Sequence, residues 1–447
     1  MELKKYYLVL VFLLFVAGLT LYVSLSTQIV FHDTPEYYIV TKGLAGYTNV
    51  GAYATHSFVY SLLMVPFLKL LPSFFTVKIV NMLWLVLDTL LIFLFFRDRR
   101  VFWLWIFSPL VWLVSIQYSP VLPASFFVLL MYIAFVKWES TKKRVYFIVS
   151  ALSGGLTFAL YEPSILILAL FVLVFFYKKS LLAAFSFVLL TIPAFLLRIA
   201  SDYFVTGFPL YSLVRYFGTN LAVAFGLNPG TRGLLHGLSS TSTLYSLFII
   251  CPLIFMFFRV DFSKNKRLLL FVLLSGLFFF LRSAYSKYFL LIAPLIFVLL
   301  APVMSRRLLV FNSIVSVVLI VVFSQGYFAS DPSEVMARDM GLISRDYPST
   351  HYIDLADVPL YLWDEKYQFY SIYEYLHSIG KLNYSDYHLV VENKEVNFYQ
   401  ILELRAVLKP NYGGDIYTAP FIVKKGDKPL EGFKLEDCYE YLCVYKK

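Results

Sequence analysis

The chain has 447 residues, of which 60% are hydrophobic, 19% aromatic and only 15% charged, with a net charge of +10. Soluble domains carry about 25% charged residues, so this composition, with a mean hydropathy of +0.73, argues for a polytopic membrane protein and against a water-soluble enzyme. The basic residues sit in short clusters between apolar runs, the signature of positive-inside topology and not of a nucleic-acid-binding surface.

Lys4 and Lys5 precede the first apolar run, 6–25, which is long enough to cross a bilayer. No small-residue cleavage site follows, so it reads as an uncleaved first span with a cytoplasmic N-terminus. Two carboxylates, Asp33 and Glu36, appear where the chain leaves lipid. Asp33 at an N-cap, Pro35 in the first turn and Glu36 three residues on resemble a capping box. Gly43 and Gly46 would then end a short interfacial helix over 34–45. Two readings stay open: a cap alone, or a carboxylate that takes a proton from a hydroxyl and also caps.

Further apolar runs lie near 57–71, 74–96, 101–117, 121–137, 145–160, 163–177, 180–199, 242–258, 267–281, 287–303 and 307–325. If 57–71 lies in the interface instead of crossing, the basic clusters at 97–100, 137–144, 178–179, 259–267 and 306–307 all fall inside. About eleven spans result. The outward segments are then 26–73, 118–120, 161–162, 200–241, 282–286 and everything after 325. The 200–241 loop is rich in Gly, Tyr and Ser/Thr and embeds Arg215, Arg232 and His236.

After Gln325 the composition turns polar. The stretches 352–354, 387–391, 418–424 and 441–445 read as strands, and 366–377 and 396–408 as helices. The chain thus divides into a membrane domain, 1–325, and a small mixed α/β extracytoplasmic domain, 326–447. Three cysteines are too few for a disulfide scaffold or an all-cysteine metal site. Cys251 reads as inert packing. Cys438 and Cys443 flank Tyr439-Glu440-Tyr441-Leu442, and either a bridge or two free thiols fits the sequence. Asn383-Tyr384-Ser385 matches the N-glycosylation acceptor pattern.

Five stretches together resemble the GT-C glycosyltransferases, multi-span enzymes that use polyprenyl-phosphate-linked sugars. The segment from His32 through Asp33 and Glu36 to Gly46 is similar to the acidic first loop and its juxtamembrane helix. His56-Ser57-Phe58-Val59-Tyr60 occupies the place of a basic-Pro-Pro-Leu-Tyr segment, and Gln117-Tyr118-Ser119-Pro120 that of a short external turn. Ser153-Gly154-Gly155-Leu156 through Tyr161-Glu162-Pro163 resembles the Gly-rich span with its polar turn. Arg282 to Phe289, followed by Pro294, resembles the late Arg-Tyr-Leu…Pro segment. The pattern is nearest the protein mannosyltransferase and lipid A aminoarabinose transferase branch.

The resemblance implies an all-α polytopic membrane domain with juxtamembrane helices. It also implies inverting transfer of a hexose or pentose from a polyprenyl- or dolichyl-phosphate donor to a lipid, glycan or protein acceptor outside the cytoplasm. Asp33 would be the catalytic base, with Glu36 and Glu162 as supporting acids. Arg282, Lys287 and His56 would hold the donor phosphate, since a departing phosphate needs cations. Arg215, Arg232 and His236 could clamp phosphate or bind anionic headgroups, and Tyr37 and Tyr38 could stack on a sugar or prenyl chain. Relatives often carry a second acid in the turn that here reads Ser119-Pro120, which opens the question whether Glu162 replaces it, touches the acceptor or pairs with Arg282 or Lys287. No His/Cys cluster has metal spacing, so no cofactor is expected, with a divalent cation left open. A lipid or sugar transporter and a non-catalytic scaffold of the same fold are the competing readings; neither a paired inverted repeat nor mid-membrane charge clusters favour transport.

Overall fold

The computed structural model describes residues 2–26, 33–46, 56–177, 179–214, 216–217, 247–263, 265–282, 286–328 and 332–347, and in the C-terminal region 351–353, 368–370, 389–391, 394–396, 421–425, 433–440 and 442–446. Two compact units emerge. The first comprises Met1–Ser26, Lys78–Ser201 and Gly230–Gly326; the second comprises Thr27–Val77, Asp202–Pro229 and Tyr327–Lys447.

Among the described residues, five helices are long and apolar enough to cross a membrane: Tyr6–Leu25, Phe75–Phe95, Val121–Thr141, Leu181–Thr206 and Arg306–Gln325. The shorter apolar helices Phe58–Leu70, Arg144–Leu160, Ser164–Phe176 and Ala293–Val303 accompany them. Among the described residues, length and composition do not confirm the expected total of about eleven. One reason is visible at 101–117, expected as a single span. Ser108 and Pro109 divide it into α5, Arg99–Ile106, and α6, Pro109–Ser115. Proline has no N–H to continue the ladder and its ring clashes with the preceding turn, so a new helix starts there.

In the first unit, α1 (Glu2–Leu25) and α4 (Phe74–Phe95) are joined at one end by Lys78, whose Nζ donates to both the Ser26 carbonyl and the Ser26 hydroxyl at 2.8 Å. This gives the Ser26 carbonyl, just past the end of α1, a charged donor. Farther along α4, Asn81 donates to the Gln117 carbonyl and the Trp105 indole donates to Thr89 Oγ1 at 2.8 Å. In hydrocarbon, where water is absent, such bonds tie α4 to α5 and to the segment after α6.

The helices α7 (Val121–Thr141) and α8 (Arg144–Leu160) form an antiparallel hairpin turned by Lys142, whose φ of 58° is left-handed. Phe135, Phe171, Phe175, Phe176 and Phe187 interlock α7, α9 (Ser164–Phe176) and α10 (Leu181–Thr206). At the end of α7, Glu139 accepts from Lys179 at 2.8 Å and from Arg267 of α11 (Lys266–Arg282) at 3.0 Å. A four-residue helix α12 (Ser286–Phe289), then α13 (Ala293–Leu300) and α14 (Arg306–Phe328), complete the unit.

The second unit holds α2 (Asp33–Ala45) and α3 (Phe58–Leu70). Gly46 (φ +83°) ends α2 and donates back to the Gly43 carbonyl at 3.0 Å, so the helix expected over 34–45 forms with the glycine stop at Gly46. The 13 residues of α3 rise only about 20 Å, less than the thickness of a hydrocarbon core. Val40, Phe58 and Tyr211 form a small core beneath them, with Phe58 and Tyr211 stacked at 6.0 Å.

The C-terminal part of this unit has α15 (Pro332–Asp346) and seven short strands. These are β1 His351–Ile353, β2 Gln368–Tyr370, β3 Leu389–Val391, β4 Lys394–Val396, β5 Phe421–Lys425, β6 Lys434–Cys438 and β7 Leu442–Lys446. A five-stranded sheet runs β2-β1-β5-β7-β6, with β1 parallel to both neighbours and the β5-β7-β6 side antiparallel; β3 and β4 make a separate hairpin. The four expected strands form. The helix expected over 366–377 is overturned at Gln368–Tyr370, which instead pair with β1. The one expected over 396–408 begins on a strand residue, Val396, and the rest of it lies outside the described residues. Cys438 and Cys443, cross-strand partners on β6 and β7, form a disulfide. The Asn383 triplet lies outside the described residues.

Candidate active site

Each unit carries part of the expected site. In the second, Asp33 is the first residue of α2 and Glu36 lies in its first turn. Tyr37, one turn after Asp33, and Tyr38 are helical and buried at 3% exposure, not loop side chains. The Tyr37 ring meets His56 at 5.1 Å and Tyr60 edge-on at 5.5 Å. The Tyr37 carbonyl accepts from the Thr41 and Ser61 hydroxyls, at 2.7 and 3.4 Å. Burial pushes the Tyr38 phenol up to about 12, so it stays neutral at physiological pH.

His56 stands just before α3, whose N-cap Ser57 accepts from the Val59 N–H at 3.2 Å. Its ring lies against Tyr37 and, on another side, Tyr216 at 5.7 Å. The structure therefore brings His56 onto the α2 helix that Asp33 begins. Asp202 anchors the segment that supplies Tyr216: it accepts from the Ser212 N–H at 3.0 Å and the Ser212 hydroxyl at 2.8 Å. Arg215, Arg232 and His236 lie outside the described residues.

In the first unit, Glu162 sits in the turn between α8 and α9 and is fully buried. It is paired with a residue the sequence reading did not single out: Arg198 of α10, whose Nη2 donates to Glu162 Oε1 at 2.7 Å with both side chains at 0% exposure. Arg198 Nη1 also donates to the Phe158 carbonyl in the last turn of α8 at 3.3 Å, and the guanidinium lies 5.4 Å from the Phe158 ring centroid. Phe195, one turn before Arg198, stacks on Phe158 at 6.0 Å. Removing one partner from such a pair strands a buried charge at a cost of about 3–5 kcal/mol.

Glycine explains the reach. A Cβ on Gly155 would meet the Thr191 carbonyl oxygen at 2.8 Å and Ala194 Cβ at 2.9 Å, so α8 and α10 pack closer than any side chain allows. The turn then continues through Ser164, whose hydroxyl donates to the Tyr161 carbonyl at 2.6 Å. The Tyr161 ring faces Tyr288 of α12 at 6.1 Å, and Tyr288 in turn stacks on Phe279 at 5.8 Å. Lys287, the expected phosphate ligand, is the residue before Tyr288; it is buried, with Nζ 5.8 Å from the Tyr288 ring centroid. Arg282 ends α11, four residues before α12. In the first unit, Glu162 pairs with Arg198, and Tyr161 beside it meets Tyr288, the neighbour of Lys287. Deeper in α4, Asp88 is fully buried beside Ser125, whose hydroxyl donates to the Leu290 carbonyl at 3.1 Å.

Arg198 had a signal in the sequence: it and Asp202 are the two charged residues of the 26-residue helix α10. Among the described residues no group of three His, Cys, Asp or Glu side chains is placed to hold a metal ion.

No family model matches the chain, and no curated protein matches its sequence. Solved structures do. ArnT from Cupriavidus metallidurans in the apo state matches with a TM-score of 0.62 at 11% identity, covering 99% of this chain and 98% of that one. The same protein bound to undecaprenyl phosphate matches with a TM-score of 0.62 at 10% identity, covering 98% of this chain and 97% of that one. The chain accordingly has the fold of ArnT.

Proposed function

We propose that this protein transfers a sugar from a polyprenyl-phosphate-linked donor to a hydroxyl of a lipid, glycan or protein acceptor on the extracytoplasmic side of the membrane. The observation that carries this reading is the near-full-length fold likeness to a protein crystallised with undecaprenyl phosphate. In this reading the N-terminus is cytoplasmic, the C-terminal domain from 326 on is extracytoplasmic, and α2 emerges on the donor side.

The chemistry is a single displacement. Asp33 accepts the proton of the acceptor hydroxyl as its oxygen attacks the anomeric carbon. The bond from that carbon to the phosphate oxygen breaks, its electron pair stays on the phosphate, and the configuration inverts. The polyprenyl phosphate departs against Lys287 and Arg282, whose charge stabilises it as it forms. His56, held between Tyr37 and Tyr216, donates to the phosphate or orients the donor. Asp33 then loses its proton to water. Glu36, three residues after Asp33, is a supporting acid in this reading.

The test is transfer from radiolabelled polyprenyl-phosphate sugars in membranes carrying the protein. Asp33→Asn keeps the shape and removes the base, so transfer falls by about 10²–10⁴-fold. Full activity of that variant removes Asp33 from the role of base. Lipid translocation by the wild type with no transfer at all replaces the enzyme reading with a transporter.

A further inference from the structure

Five basic clusters, far apart in sequence, meet on one rim of the first unit, and side-chain contacts join them. Arg100 pairs with Asp98 at 2.6 Å and donates to the Met304 carbonyl at 3.2 Å, two residues before Arg306 and Arg307 open α14. Arg99 lies 4.7 Å from the Phe93 ring centroid, and Lys137 of α7 lies 5.3 Å from that of Phe95, both rings being in the last turn of α4. Two residues after Lys137, Glu139 binds Lys179 and Arg267. The segments 97–100, 137–144, 259–267 and 306–307, with Lys179, are thereby linked. Their described residues include thirteen Lys and Arg against three Asp and Glu, so the rim is strongly positive.

The contacts are densest at Trp138 and Glu139. The ammonium groups of Lys142 and Lys179 lie 5.5 and 5.8 Å from the Trp138 ring centroid. Lys179 also shares the Glu139 carboxylate with Arg267, at 2.8 and 3.0 Å. Three cations from the end of α7, the segment after α9 and the start of α11 thus surround one acid and one ring. The indole attracts each ammonium but adds no negative charge, which leaves the node with a net charge of about +2. Open aromatic rings stand beside the cations: Tyr177, two residues before Lys179, is 80% exposed, and Phe258, next to Arg259, is 95% exposed. Such rings suit the headgroup level of a bilayer. Setting the orientation of a membrane protein needs basic residues in each loop, but no contact between loops. A joined rim goes further and presents one continuous positive field to anions.

We propose that this rim binds anionic phospholipid headgroups, with a lipid phosphate held at the node formed by Trp138, Lys142 and Lys179. The partner chemistry is a phosphodiester monoanion carrying acyl chains. In the topology read from the sequence this rim faces the cytoplasm, so the lipid belongs to the leaflet opposite the proposed donor site. The inference goes beyond sugar transfer and holds whatever chemistry Asp33 performs.

The test places the protein in nanodiscs of phosphatidylcholine containing a small fraction of brominated-chain phosphatidylglycerol or, in parallel, brominated-chain phosphatidylcholine. Quenching of tryptophan fluorescence is the readout, and the difference between wild type and Trp138→Phe isolates the signal of Trp138. Wild type is expected to prefer phosphatidylglycerol. Lys142→Asn/Lys143→Gln removes two exposed cations; asparagine accepts the left-handed backbone at 142, and the Lys143 side chain makes no capping bond. At about fivefold for each cation near an anionic lipid, the preference falls roughly twentyfold in this variant. Lys142→Arg/Lys143→Arg keeps the charge and keeps the preference. Raising salt from about 0.1 M to 1 M shortens the screening length from about 10 Å to 3 Å and weakens the preference of the wild type. Equal quenching by the two lipids overturns the proposal, as does a preference that survives in Lys142→Asn/Lys143→Gln. Loss of the preference on adding soluble glycerophosphate at the same concentration assigns the node to a free anion and overturns the lipid reading.

Discussion

The adjacent glycines of α8 give opposite expectations for the same substitution. A Cβ on Gly155 meets backbone and a neighbouring Cβ, Thr191 O at 2.8 Å, Thr191 Cα at 3.1 Å and Ala194 Cβ at 2.9 Å. None of these atoms rotates away, so α10 has to move off α8 by about half an ångström, an overpacking cost of about 1–3 kcal/mol. A Cβ on Gly154 meets side-chain atoms instead, Leu168 Cδ1 at 2.8 Å and Met131 Sδ at 2.9 Å, and these flexible ends give way. Both substitutions gain about 0.5–1 kcal/mol from replacing glycine inside a helix. Gly155→Ala is therefore expected to lower stability by about 1–2 kcal/mol, while Gly154→Ala is neutral or stabilising by up to about 1 kcal/mol. Thermal unfolding of the purified protein in one detergent reads the difference as a gap in Tm of a few degrees, on the order of 2–4 °C per kcal/mol. Equal Tm values for the two variants would refute the close-approach argument.

Asp98 caps α5 by accepting from the Arg100 N–H at 3.0 Å, and it also pairs with the Arg100 side chain. Asp98→Ala is expected to cost about 1 kcal/mol, and Asp98→Asn less, in the same unfolding assay. The Arg100 side chain beside it holds the Asp98 carboxyl below its ordinary range. The folded value being the lower one, its contribution is present above the usual carboxylate range and is lost as pH falls through that depressed value. The Asp98→Asn variant should therefore show a flatter acid limb, and an identical limb counts against the pairing. The Cys438–Cys443 bridge spans a sequence separation of 5, so closing that loop is worth about 2 kcal/mol to the β6–β7 hairpin. Reduction is expected to speed hydrogen exchange at 434–446 and to leave the membrane helices unchanged; a global loss of protection would contradict it.

Features set by neighbours in sequence were legible before any coordinates. The stop of α2 at Gly46 follows from a glycine that accepts positive φ. So did the strands at Phe421–Lys425 and Leu442–Lys446, whose β-branched and aromatic residues carry their own propensity. Features set by distant partners were not. Gln368–Tyr370 read as helix because the residues around them have helical spacing, and the parallel pairing with β1 decides otherwise. Strand β6 is exposed along its whole length, so it offers no apolar alternation to find. Glu162 was found as a candidate, but its partner lies 36 residues away on another helix, and no local pattern names it. The break at Ser108-Pro109 was in plain view and was outweighed by the apolar run around it.

The bond from Lys78 to Ser26 has a consequence for how the molecule is made. Its partners are 52 residues apart, and Ser26 is synthesised first. Until α4 arrives, the Ser26 carbonyl lacks the ammonium group that binds it in the folded protein. The end of α1 thus gains its last partners only when the start of α4 has been made. From then on residues 27–77, which carry Asp33 and His56, are a loop whose two ends are joined by one side chain. A single lysine thus sets the span within which the proposed base has to work.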